Sequence, residues 1–307
     1  MMRRIRRQLL SVGLAAKKVA ERAQKRSQRK NADLLHKRQH ERGGRKRRIE
    51  EDADVTVCVA LCCKDGIILG SDSLATFGRG APVARYTNKV FVIEHPDLAH
   101  PVAVAGAGSS TFIDKLIDRA KREAIAAAAK EVHRKLDIVD FVERVCEPVV
   151  CILMKEYWID RAKFFGGPQS DYSLSMLVAG ATSDAQGKVL QTRGYTIYSD
   201  GISEVVDGYG TIGSGAAYAE LFMHGFAPEP LKVPVNEGVK LLTYAIKGVE
   251  IMDPNVGGNT SVCTLKKDAS GQLEIKRLDS KNLPINAKER MENVLKRIGT
   301  DMRKILN

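Results

Sequence analysis

The feature that most limits what this chain can fold into is the order of its hydrophobic blocks: strand-like segments come in pairs, helix-like segments come in pairs, and the two kinds do not alternate one by one. Val55 to Cys62 is a β-branched run that reads as a buried strand. Lys64-Asp65-Gly66 supplies a tight turn, and Ile67 to Asp72 returns as its antiparallel partner. Further short strands are expected at Val90 to Ile93 and Pro101 to Ala105. Ile113, Leu116, Ile117, Ala120, Ala124 and Ala127 then recur with a helical period, which predicts an amphipathic helix to about Leu136 with a Thr111/Asp114 capping box at its start. A second helix over Ile138 to Trp158 should kink or divide at Pro148. Strands resume at Leu174 to Ala181 and Val189 to Tyr198, joined by the turn Asp184 to Gly187, and another begins at Glu204. Helices at Ala216 to Phe226 and Asn236 to Met252 precede strands at Thr260 to Lys266 and Leu273 to Leu278, and a charged helix closes the chain from Ala287 to Leu306. Segregated blocks of this kind predict an α+β fold.

Charge divides the chain as sharply as hydrophobicity does. The net charge is +12, yet residues 1–50 hold 18 Lys plus Arg against four acids, a net of +14, so the other residues sum to −2. Ile5, Leu9, Val12, Ala16 and Val19 recur opposite arginines, a basic amphipathic helical pattern. Such a segment is open to several readings: a solvated tail, a nucleic-acid contact, an anionic-membrane contact, a targeting peptide, or a removable propeptide. No aromatic residue interleaves its charges, so base stacking has nothing to work with. The organisation expected is a basic extension over 1–54, a body over 55–285 and a C-terminal helix over 286–307. No apolar run approaches the roughly 18 residues that span a bilayer. The six cysteines lack a repeated CxxC spacing and read as reduced, buried thiols, which makes the cytoplasm the expected compartment.

Most local motifs are weak. Gly106-Ala107-Gly108 and Gly213-Ser214-Gly215 each precede a helix but lack the residues of a phosphate loop, and read as tight strand-to-helix turns. The six histidines show no ligand spacing and read as surface or loop residues, and GxSxG is absent. The informative constellation is Thr56 at the start of the first strand, Asp72 at the end of the second and Lys89 before the third, three residues that a hairpin and a neighbouring strand can gather.

These residues lie within a longer pattern: Thr56-Val57, Lys64 to Leu69, Gly70 to Thr76, Asn88 to Phe91, Ala105-Gly106, Ile212 to Gly215 and Asp253 to Asn259. In that order they resemble the proteasome subunits, including the bacterial two-component protease version, within the N-terminal-nucleophile hydrolases. The resemblance covers about residues 55–285. It implies a four-layer αββα sandwich, here with a basic N-terminal extension, and a threonine peptidase site. In that site Thr56 is the nucleophile, its freed α-amine the general base, Lys89 the adjacent positive charge and Asp72 the group that orients it. Gly106 is the implied oxyanion donor, with Ala103 the alternative under a different gap placement. Ser214, Asp253 and the Gly257 turn match the supporting shell. Backbone near Thr76 would pair with an extended peptide, and Val104 would sit near an apolar substrate pocket. The implied partners are a peptide or unfolded protein substrate, a homo-oligomeric ring and an ATP-driven unfoldase; no metal or nucleotide cofactor is implied, and nucleic acid would bind only through residues 1–50.

The chain departs from the family pattern at three places. Val55, not Gly, precedes Thr56; Val256 stands where the family has a supporting serine; and Leu74 stands where active subunits place a polar residue. A β-branched residue beside a scissile carbonyl crowds attack on it. The alternative to a peptidase is therefore an uncut, inactive ring-forming scaffold; a nucleic-acid-binding protein is a lesser one, whose binding would collapse with salt.

Overall fold

The computed structural model describes residues 56–77, 83–108, 110–156, 174–253, 256–278, 282–284, 286–294 and 296. Glu51–Met291 form one compact unit. The basic extension and its expected helix lie outside the described residues.

Two five-stranded antiparallel sheets form the centre. The first has the order β10-β1-β2-β11-β12, built from β1 (Cys58–Cys63), β2 (Gly66–Ser71), β10 (Tyr209–Ile212), β11 (Ser261–Lys267) and β12 (Leu273–Leu278). The second has the order β5-β6-β7-β8-β9, built from β5 (Val90–Ile93), β6 (Val102–Gly108), β7 (Leu174–Ser183), β8 (Val189–Ile197) and β9 (Ser203–Val205). A separate hairpin joins β3 (Leu74–Phe77) to β4 (Val83–Tyr86).

Strand alternation sets the layers. Along β6, Ala103, Ala105 and Ala107 pack against Cys58, Ala60, Ile67 and Leu69 of the opposite sheet, whereas Val102 and Val104 face a helical layer containing Leu116, Phe141 and Val145. The inter-sheet face sets these alanines and Cys58 and Cys263 against larger aliphatics such as Ile67, Leu69, Leu177 and Leu265. Val104 is fully buried against that helical layer.

The first helical layer is α1 and α2. α1 runs through Ser110–Arg119, a π-type turn at Ala120–Ala124 and Ile125–Val132. It starts at Ser110, and the side chain of Thr111, the expected capping residue, lies outside the described residues. It stops short of Leu136 because His133 adopts a left-handed conformation, φ 56°. α2 comprises Ile138–Phe141, a π-type turn Val142–Cys146 and Glu147–Met154, capped by the Asp137 carboxylate, which accepts from the Val139 and Asp140 amides. The wide turn lies just ahead of Pro148, where a proline ring needs room against the preceding turn.

The other helical layer is α3 (Ala216–Phe226) and α4 (Val235–Met252), packed on the first sheet: Leu242 and Ile246 of α4 lie over Gly70 of β2. The result is the four-layer αββα sandwich. A last helix, α5, is described from 287 to 294. Strands β3, β4 and β10 are additions to the sequence expectations, and β1 begins two residues after Thr56. Cys151 is exposed and Cys62 partly so, which corrects the view that all six thiols are buried; all six are free. His100 lies in the loop before β6, in keeping with the reading of the histidines as surface or loop residues, and is buried there.

Candidate active site

The β1–β2 ladder sets Cys58 opposite Ser71, so the residues just before β1 and just after β2 lie side by side. The Thr56 hydroxyl donates to Asp72 Oδ1 at 2.8 Å, and the Val57 amide donates to the same oxygen at 3.0 Å. Lys89 enters from the other sheet, immediately before β5. Its ammonium donates to Asp72 Oδ1 at 2.8 Å, to the Leu74 carbonyl and to Thr56 Oγ1. An ammonium has no acceptor, so the hydroxyl proton has only the carboxylate to point at. Thr56, Asp72 and Lys89 are 3%, 1% and 8% exposed, and a charge pair so buried is tolerable only because each partner is hydrogen-bonded.

The Gly213-Ser214-Gly215 turn between β10 and α3 holds the Thr56 backbone. Ser214 Oγ accepts from the Thr56 amide at 3.2 Å, and the Gly215 amide donates to the Thr56 carbonyl at 3.1 Å. Gly213 has φ +96°, and a Cβ there would lie 2.3 Å from that carbonyl oxygen, so close approach and backbone shape both require glycine. This glycine-rich motif serves a threonine, not a phosphate.

Asp253 ends α4; its amide donates to the Val249 carbonyl at 2.7 Å and its carbonyl accepts from Val256 at 3.1 Å, closing the turn that leads to Gly257. The Gly257 amide donates to Asp72 Oδ2 at 3.2 Å, and the Asn259 amide donates to Ser73 Oγ at 2.8 Å. Val256, at the family's serine position, is buried with Val57 and Val249 around Gly215, so apolar packing replaces a hydrogen bond there. Leu74 contributes its carbonyl rather than its side chain.

Gly106 stands opposite Lys89 across the β5–β6 ladder and donates its amide to the Lys89 carbonyl at 3.3 Å. Ala103 pairs with Val92 and Ala179 within the sheet and is fully buried between the layers. Cys58 lies beneath the site, its thiol donating to the Gly106 carbonyl at 3.4 Å. Burial pushes that thiol up to about 12, against the pull of the Lys89 charge, so it is not a competing nucleophile. Ser73 escaped sequence reasoning; its only signal is its place directly after Asp72. Among the described residues no three His, Cys, Asp or Glu side chains form a metal cluster.

A family model described as Proteasome subunit matches residues 55–265. Proteasome subunit beta 1 of Thermococcus kodakarensis is 28% identical over 218 residues, covering 69% of this chain and 89% of that protein. Among solved structures, the Anbu (Gly-1) mutant from Hyphomicrobium sp. strain MC1 superposes with TM-score 0.59 at 13% identity, covering 80% of this chain and 96% of the other. Anbu (ancestral beta-subunit) from Yersinia bercovieri gives TM-score 0.59 at 14% identity, covering 82% and 96%. At such identities the two structures speak to the fold alone. The family match spans most of the body and includes the strands that gather Thr56, Asp72 and Lys89, and on it the chain belongs to the proteasome subunit family.

Proposed function

We propose that this protein is a threonine-type endopeptidase that hydrolyses peptide bonds through Thr56 once the residues before it have been removed. The observation that carries the reading is the mutual hydrogen bonding of Thr56 Oγ1, Asp72 Oδ1 and Lys89 Nζ in a buried cluster. With the chain uncut, the Thr56 nitrogen is an amide and donates to Ser214. Once freed it becomes an α-amine titrating at about 8, able to take the hydroxyl proton. Thr56 Oγ1 then attacks the substrate carbonyl carbon, and the amine receives its proton. Collapse of the tetrahedral adduct breaks the C–N bond, the leaving nitrogen takes the proton back from the ammonium, and an ester remains on Thr56. Water, deprotonated by the same amine, hydrolyses that ester. The Lys89 charge stabilises the alkoxide as it forms, and the Gly106 amide is the proposed oxyanion donor, released for that purpose from the Lys89 carbonyl.

Among the described strands β3 pairs with β4 alone, which leaves an edge on which an extended peptide can add as a strand. The proposed substrate is accordingly an unfolded polypeptide, and family membership favours a homo-oligomeric ring served by an ATP-driven unfoldase in the cytoplasm. Among the described residues no helix is long and apolar enough to cross a membrane. The test is hydrolysis of a fluorogenic peptide library combined with mass analysis of enzyme quenched during turnover. An acyl adduct on Thr56 and loss of turnover in Thr56→Ala support the reading; turnover unchanged in Thr56→Ala sinks it.

Two observations favour a second reading. The Gly106 amide is engaged by the Lys89 carbonyl, and the sequence puts the β-branched Val55, not Gly, before Thr56. An uncut chain of this shape is a ring-forming scaffold, and it leaves Thr56 without an amine in every assembled state.

A further inference from the structure

In the sequence Lys247 and Glu250 are one more oppositely charged pair at i,i+3 on a helix, a pairing that is usually solvated and worth little. The structure gives them other surroundings. They occupy the last turns of α4 with side chains only 18% and 14% exposed. Lys247 Nζ donates to Glu250 Oε2 at 2.7 Å and to the Gly258 carbonyl at 2.7 Å, while Lys288 of α5 donates to Glu250 Oε1 at 2.8 Å. Both carboxylate oxygens are thereby engaged. Burial works to raise the Glu250 carboxyl, but the two lysines outweigh it and hold it below the ordinary carboxylate range.

What Lys247 grips is the turn that reaches Asp72. Gly258 has φ +82°, and a Cβ there would lie 2.6 Å from Ser73 Oγ, so the turn is shaped around the residues following β2. Its other side is bonded to those residues throughout. The Gly257 carbonyl accepts from the Ser73 amide at 3.2 Å and the Leu74 amide at 3.0 Å, and the Gly257 amide donates to Asp72 Oδ2 at 3.2 Å. Asp72 Oδ1 is taken by Thr56, Val57 and Lys89, so Gly257 anchors the opposite oxygen and with it the rotation of the carboxylate plane.

We propose that Lys247, held in place by Glu250 and Lys288, is a positioning residue for the catalytic carboxylate. It fixes the Gly257–Gly258 turn, the turn fixes the plane of Asp72, and the plane of Asp72 aims Oδ1 at Thr56 and Lys89. The inference rests on the reading of Thr56 as nucleophile, but the mechanical part, that Lys247 holds the turn, stands apart from it. The hydrogen bonds of Lys247 go to Glu250 and Gly258 rather than to Thr56 or Asp72, so its loss should misalign the reacting groups while leaving substrate affinity in place.

The experiment compares full-length wild type with Lys247→Met, Lys247→Arg and Glu250→Gln. Peptide hydrolysis yields kcat and KM, and hydrogen exchange followed by mass spectrometry reports on the amides of 256–259. Lys247→Met is expected to lower kcat about ten- to hundredfold with KM little changed, as a small misplacement of reacting groups does. It should also speed exchange in the turn selectively, and Lys247→Arg should recover most of both effects. Glu250→Gln, close to isosteric, should give a smaller change of the same kind and carries the test if Lys247→Met does not fold. Wild-type kcat and wild-type exchange in both Lys247→Met and Glu250→Gln would overturn the proposal, as would a rise in KM alone. If wild type and Thr56→Ala are equally inactive, the nucleophile reading fails by itself; exchange then decides, with a loosened turn supporting the grip of Lys247 and an unchanged one overturning it.

Discussion

At Asp72 one carboxylate meets almost every demand of the site. It orients a hydroxyl, pairs an ammonium and receives two backbone amides, all in a place that is 1% exposed. Removing a single partner from a buried ion pair leaves an uncompensated charge, which costs about 3–5 kcal/mol. Lys89→Met and Asp72→Asn should therefore each destabilise the fold by several kcal/mol and abolish turnover. The double variant should regain much of the stability and none of the activity, because the charge is removed from both sides. Chemical denaturation of the four proteins checks this; additive losses in the double variant would show that the two groups do not act as a pair. A hairpin and a following strand can gather Thr56, Asp72 and Lys89, but on its own such a triplet is as readily a structural ion pair beside a strand threonine; what made it legible was the order of motifs that resembles the proteasome subunits. The grip of Lys247 on Gly258 was not legible, since an i,i+3 charge pair looks the same whether its surroundings are water or a loop folded back from the helix end.

Among the elements, the first hairpin does more than carry the site. Asp65, in the β1–β2 turn, accepts from the Val235 amide at the start of α4 at 2.8 Å and pairs with Lys266 of β11 at 2.7 Å. One turn residue thus supplies a cap to a helix that begins after Pro234 and has no side-chain cap of its own. Asp65→Ala should cost about 1 kcal/mol, the usual worth of a lost cap, and Asp65→Asn should recover part of it. Thermal unfolding reads the difference, and an unchanged midpoint in Asp65→Ala would remove the cap from the account. Elements with strong periodicity were foreseen closely: α3 and β12 begin and end where the pattern puts them, and α4 begins one residue early. Those missed were short. β10, Tyr-Gly-Thr-Ile, has no pattern of its own and becomes a strand because β1 offers it an edge. The end of α1 depends on a histidine in a glycine-like conformation, which no spacing rule reveals.

Across the whole molecule, three buried or partly buried groups make the fold acid-sensitive in the same direction. Desolvation lowers His100, with Lys135 adding to it and Asp137 opposing; Lys266 and the Val235 amide lower Asp65 against its desolvation; Lys247 and Lys288 do the same for Glu250. A group held below its unfolded value binds fewer protons in the folded state, so its stabilisation is present above the unfolded value and is lost as pH falls. Loss should begin as pH drops through about 6.5, where unfolded histidine titrates, and steepen below about 4.3, where unfolded carboxylates do. Unfolding midpoints across pH should show both steps, with the upper one missing from His100→Gln and the lower one reduced in Glu250→Gln; a profile flat from pH 7 to 4 would contradict this.

The central claim joins the two parts of the chain, a nearly neutral body that carries a buried threonine and a basic segment that must leave before the threonine can act. The most direct test is the N-terminus of the purified, assembled protein, determined by intact mass for wild type, Thr56→Ala and Lys89→Ala. The account predicts that wild type begins at Thr56 while both variants keep residues 1–55. Full-length chains in all three would contradict it, because the amine on which the peptidase mechanism depends would never form.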